Sequence, residues 1–239
     1  MTMNKRVRFE DLILYHDESY VIINKPAGLS TLDDRSESKN VLTLAREEFP
    51  TASPCHRLDK DTSGVLIIAL HTEAYKYLAT RLEHREVKKI YHAVALGLHS
   101  FQNEEADQPL YAGSSKTRVD YAGKESLTLL QTLETFKKHT LVKCFPVTGR
   151  MHQIRVHLSN LGAPIVEDKL YGGRSAYLSE LKRNFKLSKF EEENPMIRRL
   201  ALHAAAITFL HPDSGETIEI EAPYPKDFEV FIKQLRKFG

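Results

Sequence analysis

The feature that most constrains the fold is a continuous apolar run, VLIIAL at residues 65–70, placed directly after a glycine. Such a run is typical of a strand buried within a sheet. Stretches with strand character recur along the chain: LILYHDESYVIINKP (two strands around a polar turn at 17–19), VKKIYHAVALG, the hairpin LTLLQTLETF and TLVKCFPV, ALHAAAITFL and TIEIEAP. The sequence therefore predicts a sheet of many strands.

Helical spacing of apolar residues is less frequent. It occurs in NVLTLAREEF, in TEAYKYLATRLEHR with Thr72 as N-cap, in RMHQIRVHLSNLG ended by Gly162, and in DFEVFIKQLRKF. Many strands with few helices between them predict an α+β fold, a mixed, largely antiparallel β-sheet flanked by helices and loops. We expect one domain over 10–239 after a short tail at 1–9, with the polar, irregular stretch 174–199 as a surface insertion.

Composition limits the classes of function. The 239 residues carry a formal net charge of only +2, so nucleic-acid binding would require a local basic patch. The two cysteines, Cys55 and Cys144, form no CxxC and indicate neither a disulfide framework nor a thiolate zinc site. They are typical of a reducing cytoplasm. With no signal-peptide-like or membrane-spanning run, the sequence predicts a soluble cytoplasmic protein.

Several familiar motifs are absent from the sequence. It contains no GxGxxG, no GxxxxGK[ST], no HExxH and no GxSxG. The 11 histidines are scattered without the spacing of metal ligands. We therefore expect no cofactor and no metal.

The stretch HRLDKDTSG, residues 56–64, is the first candidate for chemistry. Asp59 lies among His56, Arg57 and Lys60, and a carboxylate beside cations tends to stay ionised, which suits a nucleophile or a general base. The alternative is a solvated turn whose exposed ion pairs add little stability, and the residues of this stretch alone favour that turn. Asp61, followed by Thr and Ser, fits a turn or cap residue better than a second catalytic acid.

The second candidate is TGRMHQIRVHLSNLG, residues 148–162. At 100° per residue, the helix has an apolar stripe formed by Met151, Ile154, Leu158 and Leu161. A polar stripe beside it is formed by His152, Arg155 and Ser159. Arg150 lies at the N-terminal turn, where the helix dipole disfavours a cation, so a bound anion or a carboxylate from elsewhere is expected near it. An ordinary amphipathic helix with a cationic face is the alternative.

The third candidate is REVKKIYHAVALG, residues 85–97. Lys88, Lys89 and Tyr91 precede an apolar strand, and basic residues interleaved with an aromatic suit an RNA backbone and a stacked base. The alternative for Tyr91 is a half-buried strand tyrosine.

Taken together and in this order, HRLDKDTSGVLIIAL, KKIYHAVALG, TGRMHQIRVHL and ALHA resemble the signatures of the RluA-type pseudouridine synthases. NKPAGLST resembles the first motif of that family, and PIVEDKLYGG resembles the segment after its arginine helix. The resemblance implies the pseudouridine synthase fold with a central RNA-binding catalytic cleft. It also implies an isomerase that breaks the N1–C1′ bond of a uridine in tRNA or ribosomal RNA and joins C5 to C1′, with no cofactor.

The resemblance assigns roles residue by residue. Asp59 matches the essential aspartate, Tyr91 the tyrosine that stacks on the target base near its C5 proton, and Arg155 the cation that pairs with the aspartate. Arg57 matches an arginine that holds the flipped-out RNA. The residues expected to bind RNA are His56, Arg57, Lys88, Lys89, Arg150 and His152. The expected partner is RNA, with no membrane and no obligate protein partner, and the expected state is a monomer.

The sequence departs from the family pattern in three places. Because the sequence begins almost directly at the first motif, we expect no accessory S4-type RNA-binding domain, which precedes many members. Glu167 stands where a glycine is usual, and 174–199 is longer than expected. Two other functions stay open. A nucleoside-type glycoside hydrolase using Asp59 and Asp61 would release free base, and a non-catalytic RNA-binding module would bind RNA without reacting.

Overall fold

The computed structural model describes residues 8–32, 39–187 and 192–239. In these ranges the α-helices are α1 (Val41–Glu48), α2 (Thr72–Glu83), α3 (Gln153–Asn160) and α4 (Lys226–Phe238). The strands are β1 (Ile13–His16), β2 (Tyr20–Lys25), β3 (Ser53–Pro54), β4 (Ser63–Ala69), β5 (Lys88–Leu96), β6 (Gln102–Ala106), β7 (Leu110–Ala112), β8 (Thr117–Val119), β9 (Thr128–Thr135), β10 (His139–Pro146), β11 (Leu202–Leu210) and β12 (Thr217–Glu221). Short 3-10 helices occupy Glu10–Leu12, Lys169–Tyr171 and Leu178–Glu180.

The described chain divides into two compact units. The first contains the chain up to Val87 together with Ala204–Pro223, and the second contains Lys88–His203 and Tyr224–Gly239. Strand β11 therefore begins in the second unit and continues into the first. The single domain over 10–239 stays a prediction, as does the tail at 1–9, of which residues 1–7 lie outside the described residues.

In the first unit, the strands lie in the order β1, β2, β4 and β11, with β3 on β4 and β12 on β11. All seven residues of β4 are buried, which confirms the buried strand predicted from the VLIIAL run. Helix α2 contributes Ala74 and Leu78 to the same apolar core as Val65 and Ile67 of β4. The strand that follows the HRLDKDTSG loop is therefore rigidly held in this unit.

In the second unit, β5, β10, β9 and β6 form consecutive antiparallel neighbours, and β7 and β8 form a separate hairpin. Ile154 and Leu158 of α3 enter the core of this unit. The apolar face of α4 joins them through Phe228, Phe231, Ile232 and Leu235. Antiparallel strands covered by helices confirm the predicted α+β class.

Local boundaries differ from the sequence-based expectation at three places. Helix α3 begins only at Gln153, so Met151 precedes it. The N-cap of α2 is His71, whose ring accepts the N–H of Ala74, rather than Thr72. Strand β6 and the β7–β8 hairpin were not predicted, because QNEEA in β6 is exposed at its first four residues and shows no alternation of apolar residues.

The segment 174–199 is attached to the core of the second unit. Ala176, Leu181 and Ile197 are buried in that core, while residues 188–191 lie outside the described part. The surface insertion stays a prediction, but these three apolar side chains fix its described ends to the unit. Among the described residues, no helix combines the length and the apolarity that a membrane span requires.

Candidate active site

The loop that carries Asp59 lies in the first unit, between β3 and β4. Asp59 is half-buried, and its carbonyl accepts the N–H of Thr62 across a tight turn. The chain then enters β4, where Gly64 has φ +116° and lies so close to β11 that a Cβ would come within 2.1 Å of the Ala204 carbonyl oxygen. Glycine is therefore required at this position for both its backbone angle and its lack of a side chain.

The residue after Asp59 is anchored by a buried lysine. Lys25 at the end of β2 is fully buried, and its Nζ donates hydrogen bonds to the carbonyl oxygens of Pro26, Leu29 and Lys60 at 3.0, 2.7 and 3.0 Å. The Lys60 carbonyl also accepts the N–H of Gly28 at 2.8 Å. The NKPAGLS segment and the Asp59 loop are thus joined around one buried ammonium.

The residue before Asp59 is anchored in the same way. The hydroxyl of Thr31 donates to the Leu58 carbonyl at 3.0 Å and accepts the Leu58 N–H at 3.1 Å. Both neighbours of Asp59 in the chain therefore have their backbone groups tied to the segment after β2. This restricts the positions that the carboxylate can reach, which is what a reacting group requires.

The other predicted residues of this loop differ from each other. His56 is half-buried, and its Nε2 accepts the N–H of Ile67 in β4 at 3.2 Å, so this ring also supports the loop. Arg57 is exposed. Within the loop, Arg57 is the predicted RNA-binding residue whose side chain is accessible, and Asp61 is exposed at the turn.

In the second unit, β5 carries the predicted lysines and tyrosine. Lys89 and Tyr91 are two residues apart and so point to the same face of the strand, while Lys88 points to the other face and is exposed. Tyr91 is half-buried and packs against the core of the unit. Burial lowers the pKa of Lys89, and no carboxylate among the described residues pairs with its ammonium. The Lys89 Nζ lies by Gly149, at the start of the TGRMHQ segment.

The start of α3 is held by one buried amide. Gln153 accepts the Thr148 hydroxyl at 2.6 Å and the Arg150 N–H at 3.0 Å, and it donates to the Leu127 carbonyl and the Thr128 hydroxyl. The side chain of Arg150 instead donates through Nε to a backbone carbonyl at Glu125 and is exposed, so no carboxylate among the described residues accounts for this cation.

Arg155 forms a buried ion pair with a residue that the sequence patterns did not single out. Its Nε and Nη2 donate to the two carboxylate oxygens of Asp168 at 2.7 and 2.8 Å. The side chains are 13% and 1% exposed, respectively. The guanidinium carbon also lies 5.0 Å from the ring centroid of Tyr171. Charge-assisted bidentate pairing and an aromatic face both favour arginine over lysine here.

The residues of the polar stripe predicted for α3 all contact one residue, Tyr171. Its hydroxyl is 2.8 Å from Nδ1 of His152, its ring lies against Arg155, and its carbonyl accepts the Ser159 hydroxyl at 2.7 Å. His152 precedes the helix with φ +55°, so it joins the stripe through a left-handed residue rather than through helical spacing. The tyrosine that all three contact was missed because no periodicity connects a loop residue to a helix face.

The structure thus divides the predicted site residues between the units. His56, Arg57 and Asp59 share the anchored loop of the first unit. Lys88, Lys89 and Tyr91 on β5, and Arg150, His152 and Arg155 around α3, belong to the second unit. Sequence reasoning missed the residues that hold them, which are Lys25, Thr31, Gln153, Asp168 and Tyr171. A lysine directly after an apolar strand and an aspartate within a glycine- and tyrosine-rich loop were the available signals. No three His, Cys, Asp or Glu side chains of the described residues are grouped so as to hold a metal ion.

Comparison with known proteins identifies relatives across nearly the whole chain. Residues 19–160 match the family described as RNA pseudouridylate synthase. The ribosomal large subunit pseudouridine synthase C of Vibrio parahaemolyticus is 35% identical over 242 residues, covering 98% of this chain and 72% of that protein. The protein of the same name from Escherichia coli is 36% identical, covering 98% and 73%.

Solved structures give the same result for the fold. The human RNA pseudouridylate synthase domain containing 1 protein is 27% identical with a TM-score of 0.68, covering 92% of this chain and 86% of that one. The human RNA pseudouridylate synthase domain containing 4 protein superposes with a TM-score of 0.71 at 24% identity, covering 95% and 94%. At that identity the second likeness shows the fold alone.

Proposed function

This chain belongs to the RNA pseudouridylate synthase family, whose members are isomerases acting on RNA, and we propose that it converts a uridine of large-subunit ribosomal RNA to pseudouridine. Similarity over 98% of the chain to synthases named for the large ribosomal subunit carries the proposal of substrate. A tRNA uridine is the other substrate considered, and the experiment below distinguishes the two.

The proposed reacting group is the carboxylate of Asp59. The anchoring of Leu58 by Thr31 and of Lys60 by Lys25 supports this role, because the loop presents one half-buried carboxylate from a fixed backbone. The reaction breaks the N1–C1′ bond of the uridine, and the freed uracil turns so that C5 bonds to C1′. The proton on C5 then leaves and N1 takes up a proton, so the product is an isomer of the substrate and no oxidant or reductant is needed.

Tyr91 and Arg155 are the other proposed catalytic residues. Tyr91, which is half-buried on β5, would stack on the uracil near its C5 proton. Arg155 would supply a permanent positive charge to the reaction, a role that the family resemblance gives it. The fixed, nearly buried guanidinium of Arg155 supports a role that needs a permanent charge rather than a proton donor.

Uridine must leave its stack to reach the site, which costs a few kcal/mol, and we propose that phosphate contacts offset this cost. The proposed phosphate contacts are Arg57, His56, Lys88, Lys89, Arg150 and His152. The Lys89 ammonium supports this, because it is partly desolvated and has no carboxylate partner within the described chain.

The test of the reaction uses RNA that carries tritium at uracil C5. Full-length protein is incubated with labelled large-subunit ribosomal RNA and, separately, with labelled tRNA. Tritium released to water from the ribosomal RNA, with the base still attached, is the expected result, and release from tRNA alone would overturn the proposed substrate. Free uracil would indicate a glycoside hydrolase, and binding without release an RNA-binding module.

Two variants test the assigned residues. Asp59→Asn should abolish tritium release, because an amide cannot supply the carboxylate chemistry, and full activity would exclude the proposed role of Asp59. Tyr91→Phe keeps the stacking ring and removes the hydroxyl, so it separates stacking from proton handling.

The basic contacts are tested by binding measured against salt. Each lost phosphate contact should lower the slope of log K against log salt by about 0.7–0.9, so Lys88→Glu with Lys89→Glu should flatten it by roughly 1.4–1.8. Lys226→Glu, an exposed lysine at the start of α4, is the matched control and should leave the slope unchanged. An unchanged slope in the Lys88 and Lys89 variant would reject these contacts.

We further propose that the protein works in the cytoplasm as a monomer without an obligate protein partner. Light scattering behind size-exclusion chromatography should give the mass of one chain, 27.3 kDa, and the isolated chain should be active in the tritium assay.

A further inference from the structure

We infer that Asp168 and Tyr171 are positioning residues, which set the guanidinium of Arg155 before RNA binds. The inference rests on the proposed catalytic role of Arg155. It assigns a task to the PIVEDKLYGG segment, whose aspartate and tyrosine are not among the proposed catalytic or RNA-binding residues.

The carboxylate of Asp168 fixes the guanidinium plane. Both of its oxygens accept from Arg155, at 2.7 Å from Nε and 2.8 Å from Nη2, and its side chain is 1% exposed. Two parallel hydrogen bonds to one planar group remove rotation about the end of the arginine side chain. The Nε–Nη2 edge is thereby committed to Asp168, and the Nη1 edge is the one turned away from it.

The backbone around Asp168 is itself rigid. Its N–H donates to the Ile165 carbonyl, and its carbonyl accepts the N–H groups of Tyr171 and Gly173. A Cβ on Gly173 would lie 1.9 Å from the Ile165 oxygen and 2.6 Å from the Asp168 nitrogen, so the chain can close this loop only with glycine there. The carboxylate therefore projects from a fixed support.

Tyr171 fixes the guanidinium from a second direction. Its ring centroid lies 5.0 Å from the guanidinium carbon of Arg155, within cation–π range. Its hydroxyl accepts the Thr117 N–H of β8 at 2.8 Å and lies 2.8 Å from Nδ1 of His152. Because the ring is held at its hydroxyl end and Ser159 donates to the Tyr171 carbonyl, the aromatic face cannot move away from Arg155.

Two supports on one side chain have a consequence for catalysis. The conformational entropy of Arg155 is lost on folding rather than during the reaction, which is the usual benefit of pre-organisation. A misplacement of about 1 Å in a catalytic group can cost on the order of 10²-fold in rate. Loosening Arg155 should thus slow the chemical step and leave RNA affinity nearly unchanged.

The first test measures single-turnover tritium release and RNA affinity. Asp168→Asn should lower the rate on the order of 10²-fold with little change in the RNA dissociation constant. Tyr171→Phe, which keeps the ring but not the hydroxyl anchor, should give a smaller fall in the same rate. If Asp168→Asn does not fold, the Tyr171→Phe result decides, and an unchanged rate in either folded variant overturns the inference.

A double-mutant cycle separates positioning from a general structural effect. In an Arg155→Lys background, Asp168→Asn should cause no further loss of rate, because its effect passes through the arginine. Additive losses would overturn the inference. The matched control is Asp227→Asn, which breaks the similar bidentate pair of Asp227 with Arg199 in the same unit. It should lower thermal stability without changing the single-turnover rate.

A spectroscopic readout does not depend on activity. In protein labelled with ¹⁵N-arginine, the Nε–H of Arg155 should be protected from exchange in the wild type and unprotected in Asp168→Asn. An inactive wild-type protein would defeat the proposed function, and this exchange measurement would still decide whether Asp168 orders Arg155. Equal exchange in the two proteins would overturn the inference even if the wild type is active.

Discussion

Replacing Lys25 by methionine tests how the Asp59 loop is held. Methionine has a similar length and no charge, so the variant removes the three hydrogen bonds from Nζ to the carbonyls of Pro26, Leu29 and Lys60. The Lys60 carbonyl keeps the N–H of Gly28, whereas the other two carbonyls lose this donor.

The structure sets the expected magnitude. A buried carbonyl left without a donor costs about 1–3 kcal/mol, so two cost about 2–6 kcal/mol. Removing a fully buried ammonium also relieves its desolvation, which is worth several kcal/mol and acts in the opposite direction. The two terms largely offset each other, so we expect Lys25→Met to lower the free energy of unfolding by only about 1–2 kcal/mol.

Two measurements check this prediction. Urea denaturation followed by circular dichroism gives the free energy of unfolding. Single-turnover tritium release reports on Asp59, and it is measured without urea at a temperature where the variant is folded. The rate should fall on the order of tenfold, because the Lys60 carbonyl loses its hydrogen bond from Lys25 and the backbone beside Asp59 is held less firmly. Lys76→Met, an exposed lysine on α2, is the matched control and should change stability by less than about 0.5 kcal/mol. A folded Lys25→Met protein with wild-type stability and rate would refute the conclusion that Lys25 holds the Asp59 loop.

Three further substitutions have definite signs. Gly64→Ala should lower the free energy of unfolding, measured by urea denaturation, by at least about 3 kcal/mol, because the new Cβ meets the Ala204 carbonyl. The control Gly215→Ala, at φ +68° with open space around it, should cost only about 1–2 kcal/mol. Equal losses in the two variants would contradict the steric argument. Glu167→Gly should raise the free energy of unfolding by about 1 kcal/mol, because φ is +65° and one buried carboxylate oxygen of Glu167 has no hydrogen-bond partner among the described residues. A loss of thermal stability would contradict this. Burial lowers the pKa of His139 to about 4, below its ordinary value near 6.5, so the stability contributed by its neutral form is present above that ordinary value and is lost as pH falls toward 4. His139→Leu should flatten the dependence of unfolding free energy on pH in this window by up to about 1.4 kcal/mol per pH unit, and parallel curves for the two proteins would contradict it.

Local patterns predicted most elements of the sheet and the helices. The VLIIAL run predicted β4 because a strand buried on both faces has to be apolar along its length. Alternation and helical spacing placed β5, β9, β10, β11 and α4 for the same reason, since each buries a continuous face. The β7–β8 hairpin was missed because only Leu110 and Thr117 of its six strand residues are buried, so burial leaves almost no pattern in the sequence.

Residues of the candidate site were predictable from the sequence only where a single motif contains them, and not where their role depends on contacts with another segment. Asp59, Tyr91 and Arg155 were each found from their own motif and the family resemblance. Lys25 was not assigned a role, because its three acceptors are backbone carbonyls, and backbone groups look alike in every sequence. A buried lysine at the end of an apolar strand indicates that such acceptors exist, but not which loop provides them.

The pairing of Arg155 with Asp168 shows why such contacts are hard to predict. Helical spacing correctly grouped Arg155 with Ser159, but the carboxylate that holds the arginine comes from a loop whose path no period describes. That path depends on two left-handed residues, Glu167 with φ +65° and Gly172 with φ +87°, which bracket the 3-10 turn carrying Asp168 and Tyr171. Glu167 adopts the backbone region that glycine occupies most readily, so the turn is kept with a glutamate at this position. The glutamate pays for this conformation with local backbone strain. The departure from the family pattern therefore affects stability, while the carboxylate and the ring still reach α3.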